Sequence, residues 1–528
     1  MFVRAILPTS LLFLATSQAL PTEDCPILGP ALPSNFDVSN TAAFRSTIST
    51  FRESIESLFS AGAVNRTHTS FAIDVFSTHA ERSIYSFYHE APGLNGSLTA
   101  GAFDDKTVSR LGSVSKLITA YALIAHSGLE ILDEPVTKYL PELAGNDLDK
   151  PLDHIVWENI TIGALASHQG GTGGFRYATL GLVLAKITGL PFAEALQNIL
   201  TEPLGLKGTL TKAPDGDFNG LVVPGGINFS SWGQDYQLTS PTGGIYSNPS
   251  DLRTVGLSIL QSRLLSPAST RAWMKPRGHT AALTTSVGAP WEIERLALPV
   301  SPNSTQTRIS DLYTKLGGNT GYSAVFALSP DHGIGFSILL AGPKSIADRI
   351  PLRDTVGKAF VTAAEHAALE NAAKNLAGTF ADASSAGTNL TLTVDKDRPG
   401  LGLKDLFVDN VDWRVGILNY GLPEPAGEGA SLRLYPTNSD PAPRAFSTCG
   451  GEKSEKISFR VYGAGGLELE PLQPPAAVEG GSGLFNDGYT AWQQVGFYPN
   501  DEMVLEIVNG RLESVTSIGA NRTMRRVD

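Results

Sequence analysis

The chain is poor in cysteine and in long apolar runs, and each shortage narrows what it can be. Only Cys25 and Cys449 are available as thiols among 528 residues. Two cysteines so far apart make a poor zinc site. In an oxidising compartment they either form one disulfide, the pairing expected here, tying the mature N-terminus to the last domain, or stay unpaired. Beyond the first residues no run of about eighteen apolar residues occurs, so no membrane span is expected. The nine histidines form no His-Glu-x-x-His pattern, and no other metal pattern is visible. There is no Gly-x-Ser-x-Gly elbow, which weakens an α/β-hydrolase reading. No Gly-rich phosphate loop ending in Lys-Ser/Thr occurs, and no cofactor is implied. Basic residues are outnumbered 40 to 52, for a net charge of −12. With no Lys/Arg cluster, this argues against nucleic acid as a partner.

What is present begins with a leader. Met1 to Arg4 carry positive charge, Ala5 to Ala15 are apolar, and Ser17-Gln18-Ala19 fits a small-x-small cleavage site. Residues 1–19 therefore read as a signal peptide of a soluble secreted protein. Asn-x-Ser/Thr sequons stand at Asn65, Asn95, Asn159, Asn228, Asn303, Asn389 and Asn521, as in a eukaryotic secretory product. Nothing in the sequence points to an oligomer, and a monomer is expected.

Periodicity divides the rest into two domains. Phe44, Ile48, Phe51, Ile55 and Leu58 recur at helical spacing, with Gly62 as C-cap. Ser70–Ser77 and Ser83–His89 read as strands. A mostly helical stretch runs to about residue 275. Strands return at Leu312–Lys315 and Tyr322–Ala341, and a helix over Asp354–Ala377 closes the domain. This order predicts an α+β domain over residues 20–377: an antiparallel sheet built from both ends, with a helical subdomain inserted. Residues 378–528 carry short alternating segments such as Leu390–Val394 and Met503–Val508, which predict a small all-β barrel or sandwich.

One stretch carries chemistry. In Leu111-Gly112-Ser113-Val114-Ser115-Lys116, Gly112 permits a turn into a buried helix. Ser113 and Lys116, three residues apart, share one helix face. A serine hydroxyl needs a base to become a nucleophile. A lysine among apolar neighbours, at the positive end of a helix dipole, loses its proton more readily. Alone, the stretch reads as well as a helix cap with a solvated lysine. Far downstream, Lys315-Leu316-Gly317 lies on an expected edge strand. Lys315 can supply a positive charge, and Gly317 clears space for a ligand backbone. An oxyanion hole needs two backbone N–H groups: that of Ser113, and one near Gly317, Gly318 or Asn319.

Together these motifs resemble the family of class C serine β-lactamases, penicillin-binding DD-peptidases and related esterases. The likeness spans roughly residues 65–345. It includes Gly112–Thr119, Thr161–His168, Tyr177–Leu182, Glu202–Leu206, Pro241–Ser247, Asp251-Leu252, Lys315–Tyr322 and Gly333–Ser337. The leader, sequons and β-rich tail look like its secreted fungal branch. The resemblance implies a β-lactamase/transpeptidase-like fold. It also implies acyl transfer from an amide, ester or lactam, the substrate being a small molecule or peptide-like acyl donor. Ser113 would be the nucleophile, Lys116 the base and Lys315 the group orienting a substrate carboxylate or tuning the site. His168 would hold a turn. The family's Tyr-x-Asn element is absent: its slot reads Thr172-Gly173-Gly174. Three readings follow. A segment is missing from this sequence because the gene model skipped an exon, or activity has been lost and a binding protein remains, or Tyr177, which matches a helix position in the family, stands in.

Overall fold

The structure is a computed structural model that describes residues 28–145, 155–170, 175–216, 218–223, 229–414, 431–437, 454–464 and 500–527. The leader, Cys25, Cys449, Asn228 and the Thr172–Gly174 slot lie outside the described residues.

Thr41 caps the Ala42–Ser60 helix, its hydroxyl accepting the Phe44 N–H at 3.3 Å. Phe44, Phe51 and Ile55 turn inward, and Gly62 follows in the left-handed region at φ +67°. The strands of the first domain are β1 (Ser70–Ser77), β2 (Ala80–His89), β3 (Ser109–Arg110), β4 (Tyr246–Ser247), β5 (Gly278–His279), β6 (Thr285–Val287), β7 (Glu292–Pro299), β8 (Thr307–Asn319), β9 (Tyr322–Ser329) and β10 (Ile334–Ala341). Eight of them form one antiparallel sheet in the order β2-β1-β10-β9-β8-β7-β6-β5. The chain between β2 and β5, mostly helical, is inserted into that sheet.

Strand alternation divides the sheet between two cores. Val325 and Ala327 of β9 face the core shared with the Ala42–Ser60 and Ser345–Asn375 helices. Ala324, Phe326 and Leu328 face the helical insertion. The Ser115–Ser127 helix lies in that second core, with Leu117, Ile118, Leu123 and Ile124 buried.

The closing helix begins at Ser345, nine residues before the expected Asp354, and carries Pro351 inside it. Proline removes one helical hydrogen bond. Here the buried Leu352, Val356 and Phe360 hold the turn against the sheet. A buried ionic cluster pins the same helix. Glu365 accepts from Arg308 Nε at 2.7 Å and lies 2.6 Å from His332 Nε2. Burial alone would raise its pKa. The Arg308 charge and the His332 contact overcome this and hold it at about 2. That contribution is complete above the ordinary carboxyl pKa and is lost as pH falls toward 2. Glu365→Ala removes one of the two carboxylates paired with the buried Arg308, leaving Asp331 at 3.1 Å, and we expect a loss of about 1–3 kcal/mol in urea unfolding. A loss below about 1 kcal/mol, the range of exposed pairs, would show that the cluster does not hold the helix.

The C-terminal domain is all-β. Its strands are Gly378–Ala381, Asn389–Val394, Leu401–Val408, Val411–Asp412, Ser431–Pro436, Ser454–Ala464, Glu502–Val508, Arg511–Ser517 and Arg522–Arg526. Pairing of Asn389–Val394 with Leu401–Val408 closes the sheet. The result is a barrel rather than a sandwich, and closure removes the free edges. Leu390, Leu403, Phe459 and Leu505 join the apolar core that runs through the closing helix into the sheet.

Candidate active site

Ser113 sits in a short turn, Gly112–Val114, that leads into the Ser115–Ser127 helix. Gly112 has φ +53°, and a Cβ there would lie 2.4 Å from the Gly318 nitrogen. Only glycine lets the turn pack so closely on β8. Gly317 is the counterpart: a Cβ there would lie 1.9 Å from the Leu111 carbonyl oxygen and 3.0 Å from the Ser113 nitrogen. Two glycines 205 residues apart thus put the serine against the strand.

Helix spacing brings Lys116 to Ser113. Lys116 Nζ lies 2.8 Å from Ser113 Oγ and donates at 2.8 Å to the Thr242 carbonyl. Burial pulls the lysine pKa down to about 8. The charges of Lys315 and Arg176 act the same way, against Glu292. A neutral amine is therefore accessible near neutral pH, with its lone pair free for the serine proton. The Ser240–Gly244 segment is held on the same helix. Thr119 Oγ1 donates to the Pro241 carbonyl at 2.9 Å, and the Ile245 N–H donates to Ser115 Oγ at 3.1 Å.

Lys315 is buried on β8 but is not a free cation. Its Nζ is ion-paired with Glu292 Oε1 and donates to the Leu316 carbonyl at 3.0 Å. Glu292 Oε2 accepts the Leu316 N–H at 2.9 Å. The Leu316 N–H therefore points to the β7 side. Strand alternation sends the Gly318 N–H the same way. Of the three N–H groups near the Ser113 turn, Gly318's is the one aimed outward. Asn319 instead braces the neighbouring loop, donating to the Gly243 carbonyl at 2.9 Å.

Tyr177 is near the pair but turned from it. Lys116 Nζ lies 5.6 Å from the centre of its ring, while its hydroxyl donates to the Ala166 carbonyl at 2.5 Å. Burial pushes this phenol well above its ordinary pKa; Arg176 pulls it down and Glu292 adds to the rise. Among the described residues its hydroxyl is not brought to Ser113 or Lys116, because its helix register points the ring edge at the Thr161–Ala166 side. His168 takes φ +64° and contacts the Pro290 carbonyl at 3.2 Å, as a turn residue would.

Sequence reasoning missed Glu292, Thr242 and Arg349, which donates to the Gly317 carbonyl. A buried lysine calls for a carboxylate, but nothing in the sequence says which. Of the sequons, Asn95, Asn159, Asn303 and Asn521 are exposed, and Asn65 and Asn389 are half-buried.

A family model described as "Beta-lactamase" matches residues 82–359. A second, "Beta-lactamase-like-like, C-terminal domain", matches residues 368–528. A "Beta-lactamase-like protein" from Arthroderma benhamiae is 25% identical over 512 residues, covering 80% of this chain and 83% of its own. "Probable hydrolase M10" from a Phoma species is 23% identical over 413 residues, covering 64% and 66%. Among solved structures, the D-alanine carboxypeptidase AmpC of Burkholderia cenocepacia aligns at 20% identity and a TM-score of 0.44, over 60% of this chain and 99% of that one.

Proposed function

The chain belongs to the β-lactamase family, and on that premise we propose that it is a secreted serine hydrolase working through an acyl-enzyme. The observation that carries this is the 2.8 Å contact between Ser113 Oγ and a lysine whose pKa is lowered to about 8. Lys116 takes the Oγ proton as Oγ bonds to the carbonyl carbon of an ester or amide. The oxyanion is held by the N–H groups of Ser113 and Gly318. Lys116 then gives that proton to the leaving group as the bond to it breaks. Water attacks the acyl-serine as Lys116 takes its proton, Lys116 returns that proton to Ser113 Oγ as the C–Oγ bond breaks, and the acid and free Ser113 are released.

The leader and the four exposed sequons support secretion with glycosylation. A second reading, a binding protein that keeps the cleft without the chemistry, is favoured by one observation: the Tyr177 hydroxyl is committed to Ala166. Hydrolysis separates the two. Full-length protein collected from the medium of a eukaryotic host should hydrolyse p-nitrophenyl butyrate, and Ser113→Ala should fall to background. Equal rates for the two would leave the binding-protein reading.

A further inference from the structure

We propose that Arg110 is a positioning residue for the proton transfer: clamped between the rings of Tyr236 and Tyr246, it fixes the segment whose Thr242 carbonyl aims Lys116 at Ser113. The inference rests on the hydrolase reading and adds a residue to its machinery.

Arg110 lies on β3, just ahead of the Ser113 turn, and is fully buried. Its surroundings are unusual for a buried cation. Nη1 donates to the Ser231 carbonyl. Nε and Nη2 have no protein partner among the described residues. The titratable groups around it are the phenols of Tyr246, Tyr236 and Tyr322. Its guanidinium carbon sits 4.3 Å from the centre of the Tyr236 ring and 4.7 Å from that of Tyr246. Both distances are within range of attraction to a ring face. Stability alone does not favour this arrangement. An apolar side chain of similar volume would pack the rings with no charge to desolvate, and unsatisfied buried donors are few in folded proteins. What the charge adds is direction: two ring faces and one carbonyl must all turn toward one group.

All three belong to residues 231–246, the segment that walls the site. At one end Tyr246 pairs with Arg110 across β3 and β4, and the Leu111 N–H donates to the Ile245 carbonyl at 3.0 Å. At the other, Tyr236 packs on Gly244, where an added Cβ would lie 2.9 Å from the Tyr236 Cβ. Thr242 lies between these two holds. Its carbonyl accepts Lys116 Nζ at 2.8 Å, and the amine so held is 2.8 Å from Ser113 Oγ. Were the segment to loosen, Lys116 would lose its aim and water would reach it. Burial is the main cause of its lowered pKa; Lys315 and Arg176 act the same way and Glu292 opposes them. Hydration would therefore raise it toward the ordinary lysine range.

The test measures kcat, KM and the pH profile of p-nitrophenyl butyrate hydrolysis on the full-length protein. Arg110→Met keeps an unbranched stem and removes the charge. It should lower kcat about tenfold or more with KM within about threefold, since a misplacement of about 1 Å costs about 10²-fold. The rising limb should move from about 8 to higher pH by about half a unit or more. Tyr236→Leu removes one ring from a half-buried position and should do the same, so the result does not depend on Arg110→Met folding. Arg110→Lys keeps a cation between the rings and should recover most of the loss. Wild-type kcat and an unmoved limb in either folded variant would overturn the inference and leave the hydrolase reading standing. So would a loss that leaves the limb in place, as a merely structural role would, or one that Arg110→Lys does not relieve. No wild-type hydrolysis above the Ser113→Ala background would overturn the hydrolase reading, and this inference with it.

Discussion

Lys116→Met lowers kcat/KM for a neutral ester by about 10²–10⁴-fold, the span of a general base, and leaves the unfolding midpoint close to wild type. Methionine keeps the length and apolar body of the side chain, so the buried helix face is preserved. What is lost is the nitrogen 2.8 Å from Ser113 Oγ. The wild-type pH profile makes the same claim. Only the neutral amine accepts a proton, and the lysine pKa is about 8. Activity should therefore rise with pH through about 8 and fall about tenfold per unit well below it. Lys116→Met should lose that limb. The check is kcat/KM between pH 5.5 and 9.5 for both proteins. A flat wild-type profile, or a variant within about threefold of wild type against the expected loss, would remove Lys116 from the proton transfer.

Gly317→Ala is the second large effect, and it acts through backbone rather than chemistry. A Cβ at Gly317 would sit 1.9 Å from the Leu111 carbonyl oxygen and 3.0 Å from the nitrogens of Ser113 and Val114. These are main-chain atoms, so relief requires that the Ser113 turn and β8 move apart. Separation opens the gap between Ser113 and the Gly318 N–H. A displacement of about 1 Å at a reacting group costs about 10²-fold in rate, and overpacking costs about 1–3 kcal/mol of stability. We expect both, read by ester kinetics and thermal unfolding. Gly357→Ala is the matched control. Its Cβ would meet only Phe336, at 3.9 Å, in the middle of the Ser345–Asn375 helix. It should keep full activity and gain about 0.5–1 kcal/mol. Full activity in Gly317→Ala would mean that the close packing of turn on strand is not needed.

How far these features could be read from the chain follows from the range of the forces involved. Ser113 and Lys116 are one helical turn apart, so their contact is local and the spacing reveals it. β9 and β10 carry largely apolar runs around a turn, so their extents are also readable. The Asp354 start of the closing helix was misread because Pro351 is a local breaker, whereas burial of Leu352 and Val356 against a distant sheet decides the outcome. Glu292 was invisible for the opposite reason. Its partner Lys315 is 23 residues away across a strand register, and spacing says nothing about register. Alternation likewise marks C-terminal strands but leaves barrel and sandwich open, because closure depends on the single pairing of Asn389–Val394 with Leu401–Val408. Tyr177 was placed on its helix correctly, yet the direction of its hydroxyl depends on where Ala166 packs. The family resemblance supplied what local physics could not: which lysine and which glycine, two hundred residues on, belong with the serine.

The central claim is that Ser113 is a working nucleophile. Treating the full-length protein with a fluorophosphonate at pH 8 and mapping the adduct by peptide mass spectrometry tests it directly. A single phosphonylated residue is expected, Ser113, with the adduct absent in Ser113→Ala and formed much more slowly in Lys116→Met. An unmodified Ser113 in wild type, or an adduct on a different residue, would contradict it.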